Sequence, residues 1–153
     1  MSTMERVFIG IDPGKDGAMA IVAPAETIVV PFDRDAYVAH LAAAKDFTRD
    51  IRCVVEHVGA MPGQGSVSMF HFGENFGWIQ GVLSAMKLSY ELVRPQKWKK
   101  EFSCTSDKNT SIQVAQRLFP CVDLRRTLRC TKPHDGICEA LLMAEYARRK
   151  LNG

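Results

Sequence analysis

The chain lacks any apolar run near the roughly twenty residues that a membrane-spanning helix needs. A helical integral membrane protein is therefore excluded. No basic start followed by a long apolar stretch and a cleavage site opens the sequence, so no secretory signal is expected and the expected address is cytoplasmic. No internal repeat, low-complexity tract or interdomain linker interrupts it. The 153 residues read as one domain over 1–153, a size at which folding buries roughly 70% of the unfolded surface and needs no covalent staples. Cysteine offers no framework: the five, at 53, 104, 121, 130 and 138, are odd in number and contain no CxxC pair, which argues for reduced thiols. Cys130, His134 and Cys138 recur at fours, but Pro133 interrupts any helix that would align all three, so zinc is set aside.

What the chain does have is an apolar fraction of 46%, typical of a globular protein, and a charge distribution that its small net charge of +3 conceals. Residues 1–91 hold seven Lys/Arg against eleven Asp/Glu. Residues 92–133 hold ten against three, a local excess of +7. A basic stretch beside an acidic one suggests a polyanion partner and a cation site on one molecule.

Short apolar runs separated by Gly/Pro/Asp turns predict three strands in an antiparallel meander, over 6–12, 18–23 and 27–32. Asp33 is placed to cap a helix over about 34–45. A fourth strand, Ile51 to Glu56, is apolar enough to be buried on both faces. Residues 57–73, with three glycines and a proline in their first ten positions, read as a long loop carrying Met69, Phe70 and Phe72. Glu74 to Lys87 reads as a helix on which Gly73, Gly77 and Gly81 form a small-residue stripe. That stripe fits either packing on the domain's own sheet or a helix–helix contact in a dimer, with Phe76 and Gln80 beside it. A fifth strand over 90–94 precedes helices over 96–102, 108–119 and 134–151, with an irregular basic segment over 121–132. The order implies an α/β fold: a five-stranded mixed sheet, meander first and strand–helix alternation after, with helices on both faces. The ribonuclease H-like fold is one arrangement of that kind.

Four acids stand where acids are unexpected. Asp12 ends the first strand, Glu56 ends the fourth, and Asp135 and Glu139 share one face at the start of the last helix. Charges at the ends of buried elements are costly unless paired or bound to a metal. Each acid has an ordinary explanation: a turn for Asp12, a solvent-facing strand end for Glu56, and the helix dipole for Asp135 and, less well, Glu139. Together they point to a divalent-cation site, with room for two Mg²⁺ or Mn²⁺ about 4 Å apart and chemistry at phosphorus.

The ordered series Gly10-Ile11-Asp12-Pro13-Gly14, Val55-Glu56, Phe72 to Val82, Arg94-Pro95-Gln96-Lys97-Trp98-Lys99-Lys100, Lys108 to Phe119, and His134-Asp135-Gly136 with Glu139-Ala140-Leu141-Leu142 resembles the RuvC-type Holliday-junction resolvases over roughly residues 6–148. The His-Asp-Gly-x-x-Glu-Ala-Leu run is most similar to the phage and organellar branch, implying a bacterial or phage-infected cell. The resemblance implies a ribonuclease H-like homodimer that makes paired symmetric nicks in four-way DNA junctions. It implies Asp12, Glu56, Asp135 and Glu139 as ligands of Mg²⁺ or Mn²⁺, two ions per site, with Lys108 completing the catalytic set. The chain departs from the bacterial pattern in carrying Glu139 where those enzymes usually have aspartate, and in a spacing of four rather than three from the preceding acid.

Candidate DNA contacts are Gln64, Ser66, Ser68, Met69, Phe70 and Phe72 at the junction centre, with the two phenylalanines either wedging between bases or packing inward. Candidate phosphate contacts are Lys97, Lys99, Lys100, Lys108, Arg125, Arg126, Arg129 and Lys132. His134 reads either as a group positioning water or phosphate or as a plain cap of the last helix. Competing readings are a ribonuclease H acting on RNA–DNA hybrids and a non-catalytic junction-binding protein. An actin-like kinase or ATPase is excluded because 153 residues leave no room for its second domain.

Overall fold

A computed structural model describes residues 5–59 and 62–153. The amino-terminal strands are β1 (Val7–Asp12), β2 (Ala18–Val22) and β3 (Thr27–Pro31). Gly17 N–H donates to the Gly14 carbonyl at 3.1 Å and Ala23 N–H to that of Glu26 at 2.9 Å, closing the two turns. Helix α1 (Arg34–Phe47) starts at Asp33, whose side chain accepts from the Ala36 N–H at 2.8 Å. Then follow β4 (Ile51–Glu56), α2 (Ser66–Ala85), β5 (Tyr90–Val93), α3 (Pro95–Glu101), α4 (Lys108–Leu118) and α5 (Asp135–Lys150).

The five strands form one mixed sheet in the order β3-β2-β1-β4-β5. β1 pairs antiparallel with β2 and parallel with β4, so the ends of β1 and β4 lie side by side. Strand alternation sorts the residues into two cores. Val7, Ile9 and Ile11 of β1 and Ile51, Cys53 and Val55 of β4 join Tyr37, Leu41, Ile79 and Leu83 of α1 and α2. Phe8 and Val54 face the other way, toward α5, Trp98 and Ala115. Asp12 and Glu56 have the parity of Phe8 and Val54, which turns both acids to the α5 side.

Helix α5 is buried from Gly136 through Ala147 and lies against β1, β2 and β4, with α4 packed on it. Its approach depends on Gly10: a Cβ there would lie 2.2 Å from the Ala140 carbonyl oxygen and 2.4 Å from the Ala144 nitrogen. The helix thus crosses β1 at near-backbone contact, which brings its first turns over the carboxyl ends of β1 and β4.

One expectation needs correction, and one open alternative is decided. The segment 57–73 is not loop throughout: α2 begins at Ser66, so Ser66, Ser68, Met69, Phe70, Phe72 and Gly73 are helical, while Ala60 and Met61 lie outside the described residues. The periodic signal is weak because apolar residues surround the helix and Glu74 is its only formal charge in twenty residues. Nor does the glycine stripe pack on the chain's own sheet. The inward face of α2 is Asn75, Ile79 and Leu83, and a Cβ at Gly73, Gly77 or Gly81 would meet nothing within 4 Å.

A candidate metal centre and its surroundings

Three carboxylates converge where β1, β4 and α5 meet. Asp12, Glu56 and Glu139 each present an oxygen, and the three oxygens lie within 4.8 Å of one another. Glu56 is 7% exposed and Glu139 4%, a depth at which an unanswered charge is expensive. Lys108, the first residue of α4, supplies a partial answer: its Nζ donates to Glu139 Oε1 at 2.6 Å and lies 3.5 Å from Asp135 Oδ2.

The electrostatics follow from this crowding. Loss of water around Asp12 pushes its carboxyl well above the usual range, and the charges of Glu139 and Glu56 push it further. Burial also raises Glu56, against the pull of a hydrogen bond from Trp98. Burial pulls the Lys108 ammonium down, but the Glu139 hydrogen bond and the nearby carboxylates outweigh it and leave it raised. An all-oxygen donor set whose members resist ionising together suits a hard divalent cation.

Asp135 lines the same cleft, of about 430 Å³, as Asp12, Glu56, Glu139 and Lys108. Its oxygens are nevertheless outside the three-carboxylate cluster, and its side chain is half-exposed beside Lys108. The four acids share one cleft, but three of them form the tight donor set. The reason is position on the helix: Asp135 occupies the first turn, at the mouth, whereas Glu139 one turn later is carried inward over the sheet.

The other predicted residues lie partly on this cleft and partly away from its lining. Gln64, Ser68 and Phe72 line it. Phe72 is half-buried, its ring 6.2 Å from that of Phe76. Phe70 points outward and is 68% exposed, with Ser66 exposed beside it and Met69 half-buried. Lys99 is half-buried, its Nζ 5.6 Å from the centre of the Trp98 ring. Lys97, Lys100, Arg129 and Lys132 are exposed and make no ion pair among the described residues. Arg125 is different: its guanidinium grips Asp123 through Nη2 at 2.8 Å and Nε at 3.0 Å, so its charge is already engaged. Arg126 reaches Asp16, on the turn after β1, at 3.3 Å, tying the basic segment to the edge of the cleft. His134 caps α5, its Nδ1 accepting from the Ile137 N–H at 3.3 Å. Gly73, Gly77 and Gly81 lie on the open side of α2, with Phe76 and Gln80 half-buried next to them.

Two residues at the site carry no role in the sequence reading. Trp98 is fully buried and its Nε1–H donates to Glu56 Oε2 at 2.7 Å. Asn75 is buried on α2, lines the cleft and accepts from Arg34 Nη2 at 3.3 Å. A tryptophan between lysines on a short helix, and an amide on the inward face of an apolar helix, were the available signals: each has a polar atom that burial obliges to find a partner.

No family model matches the chain, and no curated protein matches its sequence. Solved structures do match in three dimensions. Thermus thermophilus RuvC in complex with a Holliday junction substrate superimposes with a TM-score of 0.60 at 16% identity, over 95% of this chain and 96% of that one. A structure of Thermus thermophilus RuvC superimposes with a TM-score of 0.55 at 15% identity, over 94% and 96%. The chain therefore has the ribonuclease H-like fold that these structures share.

Proposed function

We propose that this protein is a divalent-metal-dependent endonuclease that resolves four-way DNA junctions as a homodimer. The observation that carries the reading is the convergence of Asp12, Glu56 and Glu139 within 4.8 Å, in a chain whose fold matches along nearly its whole length a protein solved with a Holliday junction. The residues fit a hard cation: buried oxygen donors, carboxyls raised by burial and by one another's charge, and a lysine as their main positive neighbour. Asp12, Glu56 and Glu139 would hold the ion, and Asp135 would act at the cleft mouth or serve a second one. When bound, the ion supplies Lewis-acid chemistry, polarising the phosphodiester and making water a competent nucleophile at neutral pH.

The chain's own residues do the rest. Lys108, on a flexible stem at the mouth, is placed to exchange Glu139 for a phosphate oxygen once a cation neutralises the carboxylates. Lys97, Lys100, Arg129 and Lys132 are free to hold the DNA backbone. Phe70, exposed at the amino-terminal end of α2, is placed to insert between bases that a junction leaves unstacked. The outward face of α2 supports the dimer: a surface helix with one formal charge in twenty residues, glycines facing open space, and Val67 at 71% exposure is a surface built to be covered.

The test is cleavage of a synthetic four-way junction in Mg²⁺ or Mn²⁺. The expected result is paired nicks near the crossover, with linear duplex left intact. Equal cutting of RNA–DNA hybrids would transfer the protein to the ribonuclease H reading, and binding without cutting to the non-catalytic one.

A further inference from the structure

The hydrogen bond between Trp98 and Glu56 is built by the sheet. β5 runs parallel to β4, and Val93 sits in register with Glu56. Pro95 then opens α3 two residues later, with φ already set for a first helical turn. One turn of α3 carries Trp98 back over the α5 side of the sheet, beneath the end of β4, where it is 0% exposed. A buried indole N–H must find an acceptor, and the one it finds is Glu56 Oε2, at 2.7 Å.

The chemistry of this donor differs from that of Lys108. An ammonium neutralises the carboxylate it touches and competes with any cation for it. An indole N–H carries no charge. It fixes the rotation of the carboxylate and occupies one oxygen, yet leaves the negative charge for a cation. Glu56 keeps lone pairs beyond the one that Trp98 occupies, and it presents an oxygen within 4.8 Å of those of Asp12 and Glu139. Glu56 has no side-chain donor other than Trp98 among the described residues.

We propose that Trp98 is a positioning residue for the metal centre: its N–H fixes the orientation of the Glu56 carboxylate while preserving its charge for the cation. The inference rests on the metal reading given above and deepens it. Second-sphere hydrogen bonds of this kind typically change metal affinity by about 10–100-fold.

The chain has only two tryptophans, which makes the test direct. Trp78 lies on the other side of the sheet, ringed by Phe32, Tyr37 and the Arg34 guanidinium. In an ¹⁵N-labelled sample of the unaltered protein, Mg²⁺ titration is expected to shift the Trp98 indole N–H resonance and leave that of Trp78 in place. In calorimetry, Trp98→Phe, which keeps the ring and removes the donor, is expected to bind Mg²⁺ about 10–100-fold more weakly while remaining folded. A purely structural tryptophan would lower the melting temperature and leave the Mg²⁺ affinity of the folded variant unchanged. That result, or a stationary Trp98 resonance in protein that does bind Mg²⁺, overturns the inference and spares the metal reading. Absence of Mg²⁺ binding by the unaltered protein overturns both.

Discussion

At the scale of single residues, Asp12 is where stability and chemistry pull in opposite directions. Its folded-state carboxyl is raised by burial and by two neighbouring acids, and Glu56 is raised beside it. The native state therefore binds protons that the unfolded chain, with carboxyls near pH 4, has already released. A raised carboxyl contributes stability that is complete below the unfolded value and is lost as pH climbs through the folded one. The metal-free protein should accordingly melt at progressively lower temperature as pH rises from about 4 toward neutrality, and saturating Mg²⁺ should restore the loss at neutral pH and do little in acid. Asp12→Asn removes one of the competing charges. It should raise the neutral-pH melting temperature of the metal-free protein, abolish the Mg²⁺ response and eliminate junction cutting, all readable by calorimetry and a nicking assay. Unchanged melting across that range would mean the carboxylates do not crowd one another. The acids were legible in the sequence because a charge ending an apolar run is conspicuous. Their partners were not. Trp98 and Asn75 look like ordinary core and helix residues until a three-dimensional path shows which buried atom each must satisfy.

At the scale of elements, α2 is both the main failure of sequence reading and its best lead. Hydrophobic periodicity finds a helix through the contrast between its two faces, and α1 and α4 were legible for that reason. In α2 the contrast is absent, so its first two turns read as loop; its buried residues are Asn75, Ile79 and Leu83, with Phe76, Trp78 and Val82 packed partly against the core. The glycine stripe was legible as a feature, but its direction was not. It faces open space, and this gives a prediction with two opposite signs. Glycine in a helix costs up to about 1 kcal/mol against alanine, and leucine is nearly as good a helix former as alanine. Gly77→Leu should therefore hold or raise the stability of the single chain by up to about 1 kcal/mol while driving the proposed homodimer to monomer, as followed by denaturant melts and sedimentation. A variant that unfolds the chain instead would place Gly77 in a core contact within one molecule.

At the scale of the whole molecule, strand parity links the two halves of the charge distribution. Asp12 and Glu56 have the parity that faces α5, and the chain after β5 supplies α3, α4 and the basic segment to that same side. The acidic half and the basic half of the sequence thus meet across one cleft. The order of elements and their alternation were enough to foresee the mixed sheet. The close crossing of α5 over Gly10, which fixes the depth of Glu139, was not foreseeable, because it depends on the contact of one backbone with another. The basic half reaches the cleft through Lys108, beside the carboxylates, and through Arg126, paired with the cleft-lining Asp16. Arg125 is held by Asp123 and Arg126 by Asp16, whereas Lys97, Lys100, Arg129 and Lys132, like Arg94 and Arg117, are exposed and make no ion pair among the described residues. If each protomer neutralises about four phosphates, its contribution to junction affinity should fall roughly a hundredfold between 50 and 200 mM salt. Replacing Arg129 or Lys132 with glutamine should flatten the logarithmic salt slope by about one each, whereas Arg125→Gln should barely change it. An equal effect at Arg125 would mean that DNA displaces Asp123 from its guanidinium, and that the basic segment reorganises on the substrate rather than meeting it preformed.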